Sequence, residues 1–373
     1  MPNDNREFVV LDGLRGIAAL IIVIGHAIYF FPAVPPERYL AVDFFFVLSG
    51  FVLAHAYGAR LREGMAPCRF MLIRLIRLYP LYILAFALWL PIGIRGLSSG
   101  TLSPIVLATM CLTAVLFLPS PLPGTLYPWN FPAWSLLFEI IANAWLGTFG
   151  AKFGDIALGT LIAIAAIFLT ADIIAGGELG GGWMWSSFWM GLLRVCYSFP
   201  AGVLVYRIWR KYKPPIRLPA FLVGLALLAV LTAQPSARYE RAFAVIASLA
   251  VFPVLIWLGA SSRPRSFIAA TCKWLGAISY AIYVLHVPLL ILMLHAAGKF
   301  GFGITRWPWG IAYMGVVILA ADLANRVDKP ARRYLTSLVA RPATEHRTDS
   351  SRPSGSTPIA SAPAVRLSAS NKE

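Results

Sequence analysis

Long apolar stretches, broken by short basic or Gly- and Pro-bearing connectors, set the pattern of this chain. Ile156–Ala171, Phe221–Ala233 and Ala242–Gly259 carry little or no charge, close to the ~20 residues a helix needs to cross a bilayer. Lipid offers the backbone no hydrogen-bond partner, so such runs must close their bonds internally as helices. The pattern predicts an all-α, polytopic bundle of ten spans, near 8–31, 40–57, 74–94, 131–149, 155–174, 188–208, 218–234, 242–260, 274–297 and 308–326. The first run holds Asp12, Arg15 and His26 and ends in no small-residue cleavage site. It reads as a retained span, not a removable signal peptide.

One further apolar run, Leu102–Leu118, is excluded from the spans by charge. With the N-terminus in the cytoplasm, the clusters around Arg60–Arg77, Arg207–Arg217, Arg263–Lys273 and Arg326–Arg333 all fall inside, together with Lys152. Outer loops keep only Arg38, Arg95, Arg238, Arg241, Lys299 and Arg306. Counting Leu102–Leu118 as a span would put the later basic clusters outside, against the rule that positive residues stay in the cytoplasm. The run is therefore expected to be a re-entrant or interfacial outer helix. It leads into Pro119–Pro132, whose prolines forbid regular helix.

Composition agrees. Of 373 residues, 59% are hydrophobic and 13% charged, where a soluble domain carries about 25% charged residues. Mean hydropathy is +0.73. The net charge of +16 is scattered in clusters between apolar runs, as anionic headgroups would attract. It forms no basic face of the kind that binds nucleic acid. Cys68 and Cys272 are expected in cytoplasmic loops and Cys111 and Cys196 in apolar segments, without disulfide or metal spacing. After about residue 341 the chain turns to Ser, Pro, Thr and Ala. The expected organisation is a transmembrane domain over 1–340 and a disordered cytoplasmic tail over 341–373.

Ionisable groups at membrane depth cost at least ~2.5–3.5 kcal/mol, so each needs a reason. Arg15 and His26 are separated by about 16.5 Å of helix rise and lie within about 20° on one face. Arg15 sits near the cytoplasmic interface and His26 deep inside; a snorkelling arginine and an interhelically bonded histidine would also satisfy the pattern. Asp43 stands among phenylalanines, where it could pair with a cation or orient a hydroxyl. Arg74 and Arg77 share a face at i,i+3, and guanidinium forks suit phosphate. Ser135 and Glu139 share a face at i,i+4, next to Trp134. Arg194 lies at comparable depth and could pair with Glu139 or Asp43. Ser279, Tyr280, Tyr283 and His286 occupy a late span, where hydroxyls and imidazoles also serve as interhelical bonds.

Six elements in order carry a family resemblance: DGLRG with Arg15 and His26, VDFFFVLSGF, RLIRLYP, WSL followed by Glu139, LGAISYAIYVLH ending at His286, and DKPAR. Together they resemble the membrane-bound acyltransferase-3 proteins, over essentially the whole chain before the tail. The resemblance implies a membrane O-acyltransferase. It would take an acyl group, acetyl by base rate, from cytoplasmic acyl-CoA as donor substrate, with no bound cofactor or metal. The acceptor would be a hydroxyl on an extracytoplasmic glycan or small molecule, and the setting a bacterial-type cytoplasmic membrane with both termini inside. His26 matches the family's leading catalytic position, with Glu139 and Asp43 as further catalytic candidates. Arg15, Arg74 and Arg77 match positions for the CoA phosphates, and Ser135, Trp134, Arg194, Tyr283 and His286 fall on the acceptor side or in structural roles. This chain has Asp328 where glutamate is common, and Leu137–Ile141 where relatives are more polar.

Two other classes remain open at this point. A transporter or flippase would use the same buried charges as a path, but no repeat and no paired broken helices accompany them. A scaffold subunit with decayed chemistry would not need Arg15, His26, Arg74 and Arg77 together.

Overall fold

The computed structural model describes residues 8–31, 33–216, 218–299, 301 and 307–340. The expected tail over 341–373, and Arg217 and Arg306 of the loop tally, lie outside the described residues. The described chain is helical, without a named strand. In order the helices are α1 (Val9–His26), α2 (Leu40–Arg62), α3 (Pro67–Ser98), α4 (Pro104–Val115), α5 (Trp134–Trp145), α6 (Asp155–Ile174), α7 (Phe188–Lys211), α8 (Ala220–Thr232), α9 (Glu240–Ile246), α10 (Phe252–Gly259), α11 (Ser266–Lys299) and α12 (Trp307–Ala340). A π-turn at Ala247–Val251 joins α9 to α10, and another at Leu146–Gly150 extends α5.

All ten expected spans coincide with helix. Among the described residues, eight helical runs are long and apolar enough to cross a membrane. The other two are shorter: α8 has 13 residues, and α5 has 12 before its π-turn. Several ends overshoot the expected bounds. α3 begins at Pro67, α11 at Ser266, and α12 runs to Ala340. Lys and Arg are good helix formers whose stems run along the helix while the charge seeks water, so apolarity ends before the helix does. Cys68 consequently sits in the first turn of α3 and Cys272 within α11 against Gly13, neither in a loop.

The course of the chain through α4 decides the parity of the bundle. α1 and α11 are parallel, because Asp12 lies against Gly276 and His26 meets His286. α2 and α7 are parallel too, with Asp43 on Arg194 and His55 on Tyr206. Both pairings span α4, and each requires that α4 not cross. α4 instead folds back along the outer half of α3, with Leu107 near Gly93 and the Tyr79 hydroxyl donating to Val115 O at 2.7 Å. The non-helical return then runs inside the protein: Leu126, Tyr127, Trp129 and Asn130 are buried. Irregular backbone at such depth is tolerated where protein, not lipid, surrounds it.

The α2–α7 seam is made by glycine. A Cβ at Gly202 would collide with Val47 O, and one at Gly50 with Phe199 O. Each neighbour is backbone, which cannot step aside, so the two helices pack main chain to main chain. This close seam fixes the α2 wall of the site.

Candidate active site

A cavity of about 710 Å³ lies between α1, α2, α3, α5, α11 and α12. Its mouth is basic, formed by Arg77 from the start of α3 and by Lys329, Arg332 and Arg333 from the end of α12. Its shaft is apolar: Phe45, Phe46, Leu48, Val52 and Leu53 line it from α2. Lining residues on α2 extend from Val42 to Tyr57, about 22 Å of helix rise. Arg332 is held at the mouth by buried Asp328, at 2.5 Å. Arg77 is exposed there and joins no ion pair among the described residues.

Polar groups mark the wall midway. Arg74 Nη2 bonds Glu139 Oε1 at 2.8 Å, and Ser49 Oγ donates to the same oxygen at 3.3 Å. Among the described residues, buried Arg74 Nε has no hydrogen-bond partner. Arg15 donates through Nε to Ser279 Oγ at 2.9 Å, and through Nη2 to Asp12 at 3.0 Å and Gly276 O at 2.6 Å. Arg15, Arg74, Arg77, Ser135, Glu139 and Tyr283 all line the cavity. The spacing argument for Ser135 and Glu139 on one face corresponds to this shared wall. Glu139, however, is the partner of Arg74 and not a free acid on the outer side.

The shaft closes at Tyr283. Its hydroxyl lies 2.7 Å from Ser135 Oγ and 2.8 Å from Pro132 O, and Ser135 Oγ also reaches Pro132 O at 3.4 Å. Phe45 meets the Tyr283 ring edge-on, with centroids 5.9 Å apart. Above this closure lie the two histidines. His26 Nδ1 is 2.9 Å from His286 Nε2, and His286 Nδ1 is 2.7 Å from Tyr283 O. Both Arg15 and His26 face α11, as their spacing on one stripe predicts. His26 is half-buried and is not among the residues lining the cavity, whereas His286 is fully buried. Access from the basic mouth to His26 is thus interrupted by the Tyr283 ring.

Asp43 and Arg194 form a separate unit. Arg194 engages both carboxylate oxygens, at 2.9 and 3.0 Å, and also bonds Gly181 O and Tyr39 O. Both side chains are 3% exposed, and neither lines the cavity. Trp134 covers the guanidinium face at 5.4 Å. The structure therefore does not bring Asp43 to the reacting region: its charge is wholly used in holding α2 to α7. Two neighbours of His26 escape sequence reasoning. Phe131 presents its edge to His26 at 4.9 Å and contacts Trp183 at 6.2 Å. Arg38 lies across Gly25, where any Cβ would collide with its stem. The glycine just before His26 was the available signal for Arg38. For Phe131, in a Pro-rich stretch, there was none.

A family model described as an acyltransferase domain, acyltransferase-3, matches residues 8–326. The chain belongs to the acyltransferase-3 family. That match takes in every residue of the cavity and the histidine pair except the last turns of α12. Among curated relatives, "Protein 2 in picA locus" of Rhizobium radiobacter is 44% identical over 178 residues, covering 44% of this chain and 93% of that one. The exopolysaccharide production protein ExoZ of Rhizobium meliloti is 27% identical, covering 81% of this chain and 94% of its own. The putative membrane-bound transacylase BcsY of Komagataeibacter xylinus is 24% identical, covering 91% and 89%. No solved structure matches. As an acyltransferase-3 protein with many apolar helices, the chain is a multi-pass membrane acyltransferase.

Proposed function

We propose that this acyltransferase-3 protein takes an acyl group, acetyl in the simplest case, from cytoplasmic acyl-CoA. It passes the group to a hydroxyl of a glycan on the far side of a bacterial-type cytoplasmic membrane. The observation that carries the reading is the change in character along one cavity. Four cations stand at the mouth, an apolar shaft follows, and hydroxyls close it beneath two imidazoles. Guanidinium and ammonium groups suit the phosphates of CoA. A thin apolar shaft suits the pantetheine arm, and an imidazole suits transfer of the hydroxyl proton. The basic rim also agrees with a cytoplasmic mouth. The acceptor class draws support from ExoZ, whose name ties it to exopolysaccharide production.

In this reading Arg77, Lys329, Arg332 and Arg333 bind the nucleotide phosphates. Arg74, positioned by Glu139, and Arg15 line the path of the arm. The thioester reaches His26 by displacing the Tyr283 ring. The acceptor oxygen attacks the thioester carbon, the C–S bond breaks, and the hydroxyl proton passes by way of His26 to the leaving sulfur. A transient acyl-imidazole on His26 uses the same geometry in two steps. The test is transfer from labelled acetyl-CoA by purified protein in proteoliposomes, with surface glycan as acceptor. Arg77→Ala is expected to raise KM for acetyl-CoA about tenfold, one lost charge-assisted contact being worth ~1.5–3 kcal/mol, with kcat little changed. His26→Ala is expected to abolish transfer while acetyl-CoA still binds. Substrate counterflow without acetyl-CoA binding would instead establish a transporter.

A further inference from the structure

Two nitrogens and one carbonyl determine which face of His26 is basic. Tyr283 O can only accept, so His286 Nδ1 must carry a hydrogen to make the 2.7 Å contact. The His286 ring is fully buried, and no carboxylate contacts it in the hydrogen bonds and ion pairs of the described residues. A second proton there would leave a buried charge uncompensated. His286 is then neutral, with a lone pair on Nε2 facing His26. The 2.9 Å contact therefore requires His26 Nδ1 to be the donor. The ring planes agree within 13° with centroids 5.1 Å apart. With the nitrogens only 2.9 Å apart, the rings meet edge to edge, and the N–H and the lone pair share a plane. His26 Nε2 keeps its lone pair and bonds to nothing among the described residues. Tyr313, fully buried, donates to His286 O at 2.8 Å and ties this part of α11 to α12.

Resting on the acyl-transfer reading, we infer that His286 is a positioning residue: it receives the Nδ1–H of His26 and so holds His26 with Nε2 unprotonated, as the base that faces the acceptor hydroxyl. The arrangement runs from Tyr283 O through His286 to His26 Nδ1, with the basic nitrogen at the open end. His286 does for His26 what a buried acceptor does for any catalytic imidazole, namely select the tautomer and the ring orientation. In the reaction the hydroxyl proton binds His26 Nε2, giving an imidazolium that keeps its Nδ1–H on His286. The proton then leaves from Nε2 to the departing sulfur, and His286 gains and loses nothing.

Asparagine and glutamine separate the two bonds that His286 makes. Asparagine places an amide donor near the position of Nδ1, keeping the Tyr283 bond but offering His26 no acceptor. Glutamine places an acceptor oxygen near the position of Nε2. In the proteoliposome assay, His286→Asn and His286→Ala should each lower kcat by about 10–100-fold, part of the ~10²–10⁴ a general base supplies, with both KM values nearly unchanged. His286→Gln should recover most of that loss. Equal activity in the Asn variant and the parent, or equal impairment in Asn and Gln at matched folded yield, would overturn the assignment. For the unaltered protein, ¹⁵N-histidine spectra should show the resonances lost in His26→Ala as Nδ1–H with bare Nε2; the other tautomer would equally overturn it. Full activity of His26→Ala would remove the underlying acyl-transfer reading instead, and that result is distinct from any His286 outcome.

Discussion

Arg194 makes four hydrogen bonds, two of them to Asp43 and two to backbone carbonyls of separate segments. Removing one partner strands the other charge in a site 3% exposed, which costs ~3–5 kcal/mol. Arg194→Ala should therefore melt earlier in detergent by a margin visible in any thermal shift assay. Asp43→Asn combined with it should recover part of the loss, because the stranded carboxylate is gone. An Arg194→Ala protein as stable as the parent would show that the pair holds nothing. The sequence could identify Asp43 and Arg194 as charges needing a reason, and pairing was one of the reasons it offered. It could not say that both carboxylate oxygens are taken, because partners 151 positions apart leave no local periodicity. Glu139 is the same case, since its spacing from Ser135 was legible but its bond to Arg74 was not.

Helices were the most legible level. A bilayer forces apolar runs into helix, so all ten runs could be located from hydropathy alone, and loop charge separated Leu102–Leu118 from them. What hydropathy does not encode is where a run stops being membrane and continues as helix, hence the overshoot of α3, α11 and α12. Nor does it encode the inward path of the segment after α4, which is held by hydrogen bonds to the loop before α7, such as Leu126 N to Trp183 O at 2.9 Å. The parallel pairing of α1 with α11 gives the parity a direct test. In a background lacking native cysteines, Ser99→Cys and Ser186→Cys, both at exposed positions, should react with an impermeant thiol reagent from one side of the membrane. Lys152→Cys should react from the other. Labelling of Ser99→Cys and Ser186→Cys from opposite sides would mean that α4 crosses after all.

For the molecule as a whole, the site consists of one cavity and a histidine pair, with Tyr283 between them. The cavity takes its shape from α2, which the glycine seam with α7 holds rigid, and its sign from the end of α12. Neither property was legible residue by residue, because a cavity belongs to the packing of six helices. The closure at Tyr283 has an energetic meaning for the cell that houses the protein. Histidines bordering an unbroken column of water across an energised membrane would carry protons down the gradient and dissipate the force that drives ATP synthesis. In the proposed reading, a phenol ring pinned by Ser135 and Pro132 and backed by Phe45 would make the resting protein an insulator, as a hydrophobic constriction does in a channel. Vesicles bearing Tyr283→Ala should accordingly lose an imposed pH gradient faster than vesicles bearing the parent, as followed with an entrapped dye. Equal rates would place the barrier elsewhere. In the proposed acyl-transfer reading, the Tyr283 ring is then the inner door of an airlock, which opens for a thioester and otherwise keeps the gradient intact.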